Sequence, residues 1–162
     1  MLIAIDGPAG AGKTTLAATF ERDLSLNNSV SVIHMDDLYA GWENALDEQL
    51  TQKLIEIVEA FTSHNTFTIS IFNWSSNSFD SLRTIEPTDF LIIEGVGAGQ
   101  KVVRESGATL YWLEIDPSIG LERVLARDGL EIELQMRTWQ IDQARFFESD
   151  LTRENADHII TS

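Results

Sequence analysis

The stretch MLIAIDGPAGAGKTT, residues 1–15, runs a short apolar segment into a glycine-rich loop that ends in lysine and threonine. LIAID (2–6) reads as a buried strand ending at glycine, and Leu16, Phe20 and Leu24 recur every four residues, as in a helix beginning near Gly12. Between them Gly7 to Thr14 fit G-x-x-x-x-G-K-[ST]. In that pattern glycines let backbone N–H groups turn inward on phosphate oxygens, and the helix N-terminus adds its dipole. The predicted cradle is Gly7, Ala9, Gly10, Ala11, Gly12, Lys13, Thr14 and Thr15. Lys13 would bridge the β- and γ-phosphates of ATP, and Thr14 would place its hydroxyl on Mg²⁺.

Downstream, strands and helices alternate. VSVIH (30–34) is β-branched and reads as a second strand; from Leu46, the positions Leu50, Leu54, Ile57, Val58 and Phe61 stripe one face of a long helix. TFTISI (66–71) reads as extended, and the polar stretch NWSSNSFDSLRTIEPTD follows it. FLIIEG (90–95) has the near-continuous apolarity of a central strand covered on both faces. TLYWLEID (109–116) is a further strand, with Asp116 placed to cap a helix whose first residue is Pro117. Helix then continues to about residue 149, and ADHIIT (156–161) reads as a short edge strand. GVGAG (95–99) lacks the last glycine of a dinucleotide fingerprint and reads as a tight turn. The alternation predicts an α/β fold, a doubly wound parallel sheet of about five strands with helices on both faces, spanning residues 1–162 as one domain. Ligands of such sheets bind at the carboxyl ends of the strands, where Gly7–Thr14, Asp36, Asp37, Glu94, Gly95 and Asp116 converge.

With 26 acidic against 11 basic residues the net charge is −15, which opposes nucleic acid and anionic membrane as partners. No cysteine is present, so disulfides and thiolate metal sites are excluded. No stretch approaches the roughly 18 apolar residues of a membrane span, and no cationic leader precedes residue 2; a soluble, cytoplasmic protein is expected. Self-association is left open. His34, His64 and His158 show no metal-ligand spacing and read as structural.

A bound triphosphate can be hydrolysed to drive a switch, or its γ-phosphoryl can be passed to a hydroxyl compound, which requires a base beside an acceptor pocket. IHMDDLY (33–39) places Asp36 and Asp37 after the second strand, where one of them could take the acceptor's proton. Glu94 ends the most apolar strand, where a carboxylate is costly unless it faces a cation or bound water, so it is the predicted partner of the Mg²⁺ shell. Five of the eight arginines lie beyond residue 120; Arg123 and Arg127 share a helix face before ARDG breaks the helix, as a short lid around 123–137 would require. The plainer readings are loop caps for the aspartates and solvated surface for the arginines. Trp42, Phe72 and Trp74 flank polar loops and read as rim packing or as surfaces for a ring.

Taken together, these residues resemble the uridine-kinase-like branch of the P-loop kinases, in order along most of the chain. GPAGAGKTT looks like its phosphate loop, HMDDLY its strand-2 motif, TISIFNWSSNSF its acceptor segment, FLIIEG its metal-glutamate strand, LERVLARD its arginine-bearing lid and NADHII its closing strand. The resemblance implies Asp36 as catalytic base, Lys13, Arg123 and Arg127 as further catalytic residues, and Asp37, Tyr39, Phe72 and Asn73 as acceptor contacts. Mg²⁺ would be held with Thr14 and Glu94. Two departures fall in the acceptor segment: Asn73 stands where the family has a ribose-binding aspartate, and Phe79 where an arginine is usual. The lid segment RDGLEIEL also lacks the family's further arginines.

The expected activity is transfer of the γ-phosphoryl of Mg²⁺-ATP to a small metabolite, a nucleoside or nucleotide first. A regulatory ATPase or GTPase module is the competitor from another class, although N-K-x-D and D-x-x-G are both absent. A sugar acid or shikimate-like acceptor would need cations in the pocket, for which Arg83 and Arg104 are the remaining candidates.

Overall fold

The computed structural model describes residues 1–161. In chain order the elements are β1 (Leu2–Asp6), α1 (Lys13–Leu24), β2 (Val30–His34), α2 (Glu48–Thr62), β3 (Phe67–Asn73), β4 (Ser78–Ile85) and β5 (Phe90–Glu94). They continue with α3 (Lys101–Glu105), β6 (Thr109–Glu114), α4 (Pro117–Asp128), α5 (Glu133–Asp150) and β7 (His158–Thr161). Five strands form a parallel sheet in the order β2-β5-β1-β6-β7. The expected α/β architecture is therefore present, with β7 as the edge strand read from ADHIIT.

Because side chains alternate across a strand, the sheet sorts its apolar residues into two cores. Leu91 and Ile93 of β5 join Ala4, Leu110 and Trp112 in the larger core, which α2 caps with Leu50, Leu54, Ile57, Val58 and Phe61. Ile92 joins Ile3, Ile5, Val32 and Leu113 on the other side, under Ala17, Leu16 and Phe20 of α1. Burial on both faces is why FLIIE shows no period-2 alternation. α2 opens at Asp47, whose carboxylate accepts from Leu50 N–H at 2.9 Å, and α4 opens as expected at Asp116, which accepts from Ser118 N–H at 2.9 Å. Among the described residues, no helix is long and apolar enough to cross a membrane.

Two features depart from the sequence reading. The polar stretch after β3 contains a strand: β4 pairs antiparallel with β3, from Phe67 opposite Ile85 to Asn73 opposite Ser78. This ribbon exposes most of β4, with only Ile85 fully buried and Arg83 partly so, and it carries no alternation of apolar and polar residues to betray it. The short helix α3 follows the 95–99 turn and was likewise too brief to mark itself.

The phosphate loop rests against the start of α4. Gly10 has φ +83°, and a Cβ there would meet the Gly120 carbonyl oxygen at 2.4 Å; Gly12, at φ +94°, faces open space. Gly12→Ala should therefore incur only the left-handed backbone cost, about 1–2 kcal/mol. Gly10→Ala should incur that cost and also push the loop off α4, giving the lower urea midpoint of the two variants.

Candidate active site

At the carboxyl ends of β1, β2 and β5 lies a cavity of about 710 Å³. One end is the phosphate loop, which Asp6 anchors from beneath. Its fully buried carboxylate accepts from Gly7 N–H at 2.7 Å, Gly97 N–H at 3.1 Å and Gly99 N–H at 2.8 Å, tying the loop to the 95–99 turn. Burial pushes the Asp6 pKa up to about 6, while the three N–H donors and Lys13 pull against it. Lys13 is itself buried, donating from Nζ to the Gly7 and Pro8 carbonyls at 2.8 Å each; desolvation lowers its pKa against the opposing pull of Asp6, Glu94 and Asp36. Gln143 of α5 reaches the loop from the far side, its Oε1 accepting from Ala9 N–H at 3.1 Å.

Thr14 Oγ1 donates to Glu94 Oε1 at 3.1 Å, so the two residues expected to serve the metal are adjacent. The same carboxylate oxygen lies 2.6 Å from His34 Nδ1, which donates to it; that bond raises the His34 pKa. Oxygen donors alone suit a hard cation such as Mg²⁺. Among the described residues no three His, Asp or Glu side chains group to hold a metal by themselves, so phosphate and water oxygens would complete its shell. Asp36 opens into the cavity; surrounding protein and then Glu94 push its pKa up, against Lys13 and Arg127.

Arg123 and Arg127 both line the cavity. Arg123 Nη1 donates to the Gly10 carbonyl at 3.3 Å, and Arg127 is forked onto Asp128 at 2.7 and 2.6 Å. That pairing chiefly raises the Arg127 pKa, with Asp36 and Glu94 adding to it.

The opposite wall is aromatic. Trp42 meets Trp74 with ring centroids 5.4 Å apart and Trp139 at 6.1 Å, and Trp139 meets Tyr39 at 5.1 Å. Met136, Ile132 and Val96 extend the apolar surface. Trp139 and Met136, on α5, had no signal in the sequence beyond ordinary helix packing, and neither Asp6 nor Gln143 stood out.

Of the predicted site residues, Ala9, Gly10, Gly12, Lys13, Thr14, Thr15, Asp36, Tyr39, Glu94, Arg123 and Arg127 line the cavity. Gly7 and Ala11 shape the loop without facing the cavity, and Asp37 also lies off its lining. Tyr39 is a buried wall rather than a polar contact, because its hydroxyl donates to the Val96 carbonyl at 2.5 Å. Phe72 packs edge-on against Trp74 and Phe79, behind the wall. Asn73 is turned away: its amide donates to Asp80 at 2.6 Å, and its carbonyl oxygen accepts from Ser75 and Ser76 N–H, closing the β3–β4 turn.

The raised pKa of Asp6 means that the folded protein binds this proton more tightly than the unfolded chain does, so the group favours folding increasingly as pH falls through 6. Between pH 7 and pH 5 the unfolding free energy of the wild type should rise relative to Asp6→Asn by about 1 kcal/mol. Paired urea titrations at the two pH values measure this. At pH 7 the variant should still be the less stable protein, since its amide NH₂ would confront a backbone N–H in a buried site.

No protein-family model matches the sequence, and no curated protein matches it. Solved structures do. A possible uridine kinase from Bacillus stearothermophilus superposes with a TM-score of 0.68 at 23% identity, covering 99% of this chain and 88% of the other. Shikimate kinase from Bacteroides thetaiotaomicron gives 0.56 at 18% identity, with 99% and 85% covered. Shikimate kinase from Acinetobacter baumannii, in complex with shikimate, gives 0.56 at 17% identity, with 99% and 83% covered. At these identities the likeness is one of backbone architecture: the chain has the fold of the P-loop kinases.

Proposed function

We propose that the protein is an ATP-dependent small-molecule kinase. The observation that carries this reading is that one cavity collects Lys13 and the N-terminus of α1, the Thr14–Glu94 pair, Asp36, Arg123 and Arg127. A nucleoside is the first acceptor to try, given the family resemblance and the possible uridine kinase among the structural neighbours.

Lys13 and the loop amides would hold the phosphates, and burial of Lys13 strengthens that attraction by excluding water. Thr14 and Glu94 would hold Mg²⁺, which when bound offsets charge on the β- and γ-phosphate oxygens. Asp36 would accept the proton of the acceptor hydroxyl; its raised pKa improves its match to neutral conditions. Arg123 and Arg127, on successive turns of α4, would face the charge that spreads over the migrating group.

A sugar acid or shikimate-like acceptor has less support. Arg83 donates to the Val32 carbonyl at 2.7 Å, and Arg104 is committed to the Gly99 carbonyl and to Asp150, so neither reaches the cavity.

Lys13→Ala should abolish ATP binding, followed by calorimetry. Asp36→Asn should retain ATP binding and reduce phosphoryl transfer by about 10²- to 10⁴-fold, followed by product mass. Turnover unchanged in Asp36→Asn would remove Asp36 from the mechanism.

A further inference from the structure

Within the kinase reading, on which this inference rests, the geometry points to an acceptor recognised by an uncharged ring and a single hydroxyl, without need of a vicinal diol or an anionic group. Three of the chain's four tryptophans, Trp42, Trp74 and Trp139, line one cavity, and Tyr39, Met136 and Val96 complete an apolar surface beside them. Trp74 is held beside Asp36, its indole N–H donating to the Asp36 backbone carbonyl at 3.0 Å. A ring lying on this wall would therefore carry its hydroxyl toward Asp36.

Polar recognition on that side is sparse. The threonines of the lining, Thr14 and Thr15, belong to the phosphate loop, and its remaining neutral side chains are apolar or aromatic. Asn73, the residue best placed in the sequence to bind a diol, spends its amide on Asp80 and its carbonyl oxygen on the Ser75 and Ser76 N–H groups.

Charge gives the second restriction. The lining contains three cations, Lys13, Arg123 and Arg127. Lys13 lies in the phosphate loop, Arg123 contacts the loop at Gly10, and Arg127 is forked onto Asp128. Lys53 is drawn off to the Phe79 ring, 3.9 Å from its centroid, and to the Leu38 carbonyl. With ATP bound these cations would face its phosphates, so a phosphate or carboxylate on the acceptor would meet tryptophan and Asp36 with its countercharge already shared. Stacking on indole faces is indifferent to such groups and favours a planar ring.

In the step itself, the acceptor oxygen bonds to the γ-phosphorus as the bond from that phosphorus to the β–γ bridging oxygen breaks. The hydroxyl proton passes to an Asp36 carboxylate oxygen, and ADP leaves.

The probes are uridine, 2′,3′-dideoxyuridine, uridine 5′-monophosphate, 2-phenylethanol, ribose and shikimate, each with Mg²⁺-ATP. Tryptophan quenching reports binding and product mass reports transfer. The expected result is that 2′,3′-dideoxyuridine binds and accepts phosphoryl within a few-fold of uridine. 2-Phenylethanol should quench and turn over, whereas ribose, shikimate and the monophosphate should do neither. Trp74→Ala, at a half-exposed position, should raise the acceptor KM up to about tenfold with the ATP KM unchanged, and Trp74→Phe should restore most of it. A hundredfold loss on removing the diol, or preference for the monophosphate or shikimate, would overturn the inference and leave the kinase reading standing. Lys13-dependent ATP binding with no quenching by any ring compound would also overturn it. ATP binding that is absent or indifferent to Lys13→Ala would instead remove the kinase reading itself.

Discussion

Three backbone N–H groups, those of Gly7, Gly97 and Gly99, converge on the buried carboxylate of Asp6, and the geometry of the whole cavity depends on that convergence. Asp6 is the last residue of β1, so the contact fixes where the phosphate loop leaves the sheet. It fixes the 95–99 turn at the same time, and Gly95 N–H adds a bond to the Ile5 carbonyl at 3.1 Å. Glu94 directly precedes that turn. The β1–β5 register, with Ile5 opposite Glu94, and this buried carboxylate together set the distance between the phosphate loop and Glu94, and hence the meeting of Thr14 with Glu94. A neutral residue at position 6 could fill the same volume but could not satisfy three donors.

Charge in the cavity is arranged by depth. Lys13 is bracketed by Asp6 below and by Asp36 and Glu94 in front, a set that would be costly to bury if any member stood alone. The arginines arrive from α4, on the opposite side of the loop, and Arg127 is held by Asp128. A chain of net charge −15 thereby concentrates three of its cations, Lys13, Arg123 and Arg127, in the lining of one cavity. Low dielectric and focused field lines make these few cations count for more than their number in water.

What was legible in the sequence is what local chemistry enforces. The order strand, glycine loop, helix from Leu2 to Leu24 is written in contiguous residues, as are the cap at Asp116 with Pro117 and the two-faced apolarity of β5. The positions of Lys13, Thr14, Asp36 and Glu94 follow once the sheet is parallel, because each closes or follows a strand. The aromatic side of the cavity was much less legible. Its wall is assembled from Trp42 in a loop, Trp74 in a hairpin turn and Trp139 in a helix, and no spacing rule links residues so far apart. Asn73 misled for the same reason: its role is set by β4, a strand whose exposed faces carry no pattern. Asp6 was read as the end of a strand, since nothing in the sequence shows that two glycines some ninety residues away will donate to it.

The face of α5 joins the two halves of the cavity mechanically. Met136, Trp139 and Gln143 are spaced by three and four residues and so lie along one side of the helix. The first two belong to the aromatic wall, and the third accepts from Ala9 N–H in the phosphate loop. A rigid helix transmits displacement at one end of such a face to the other, so the loop and the wall cannot shift independently while the Gln143 bond holds. The segment before α5 contrasts with it. Gly129 ends α4, and Leu130, between the two helices, stands 73% exposed, while Ile132 packs against the larger core and lines the cavity. The register between the aromatic wall and the phosphate loop is thus carried by α5 through the Gln143 bond.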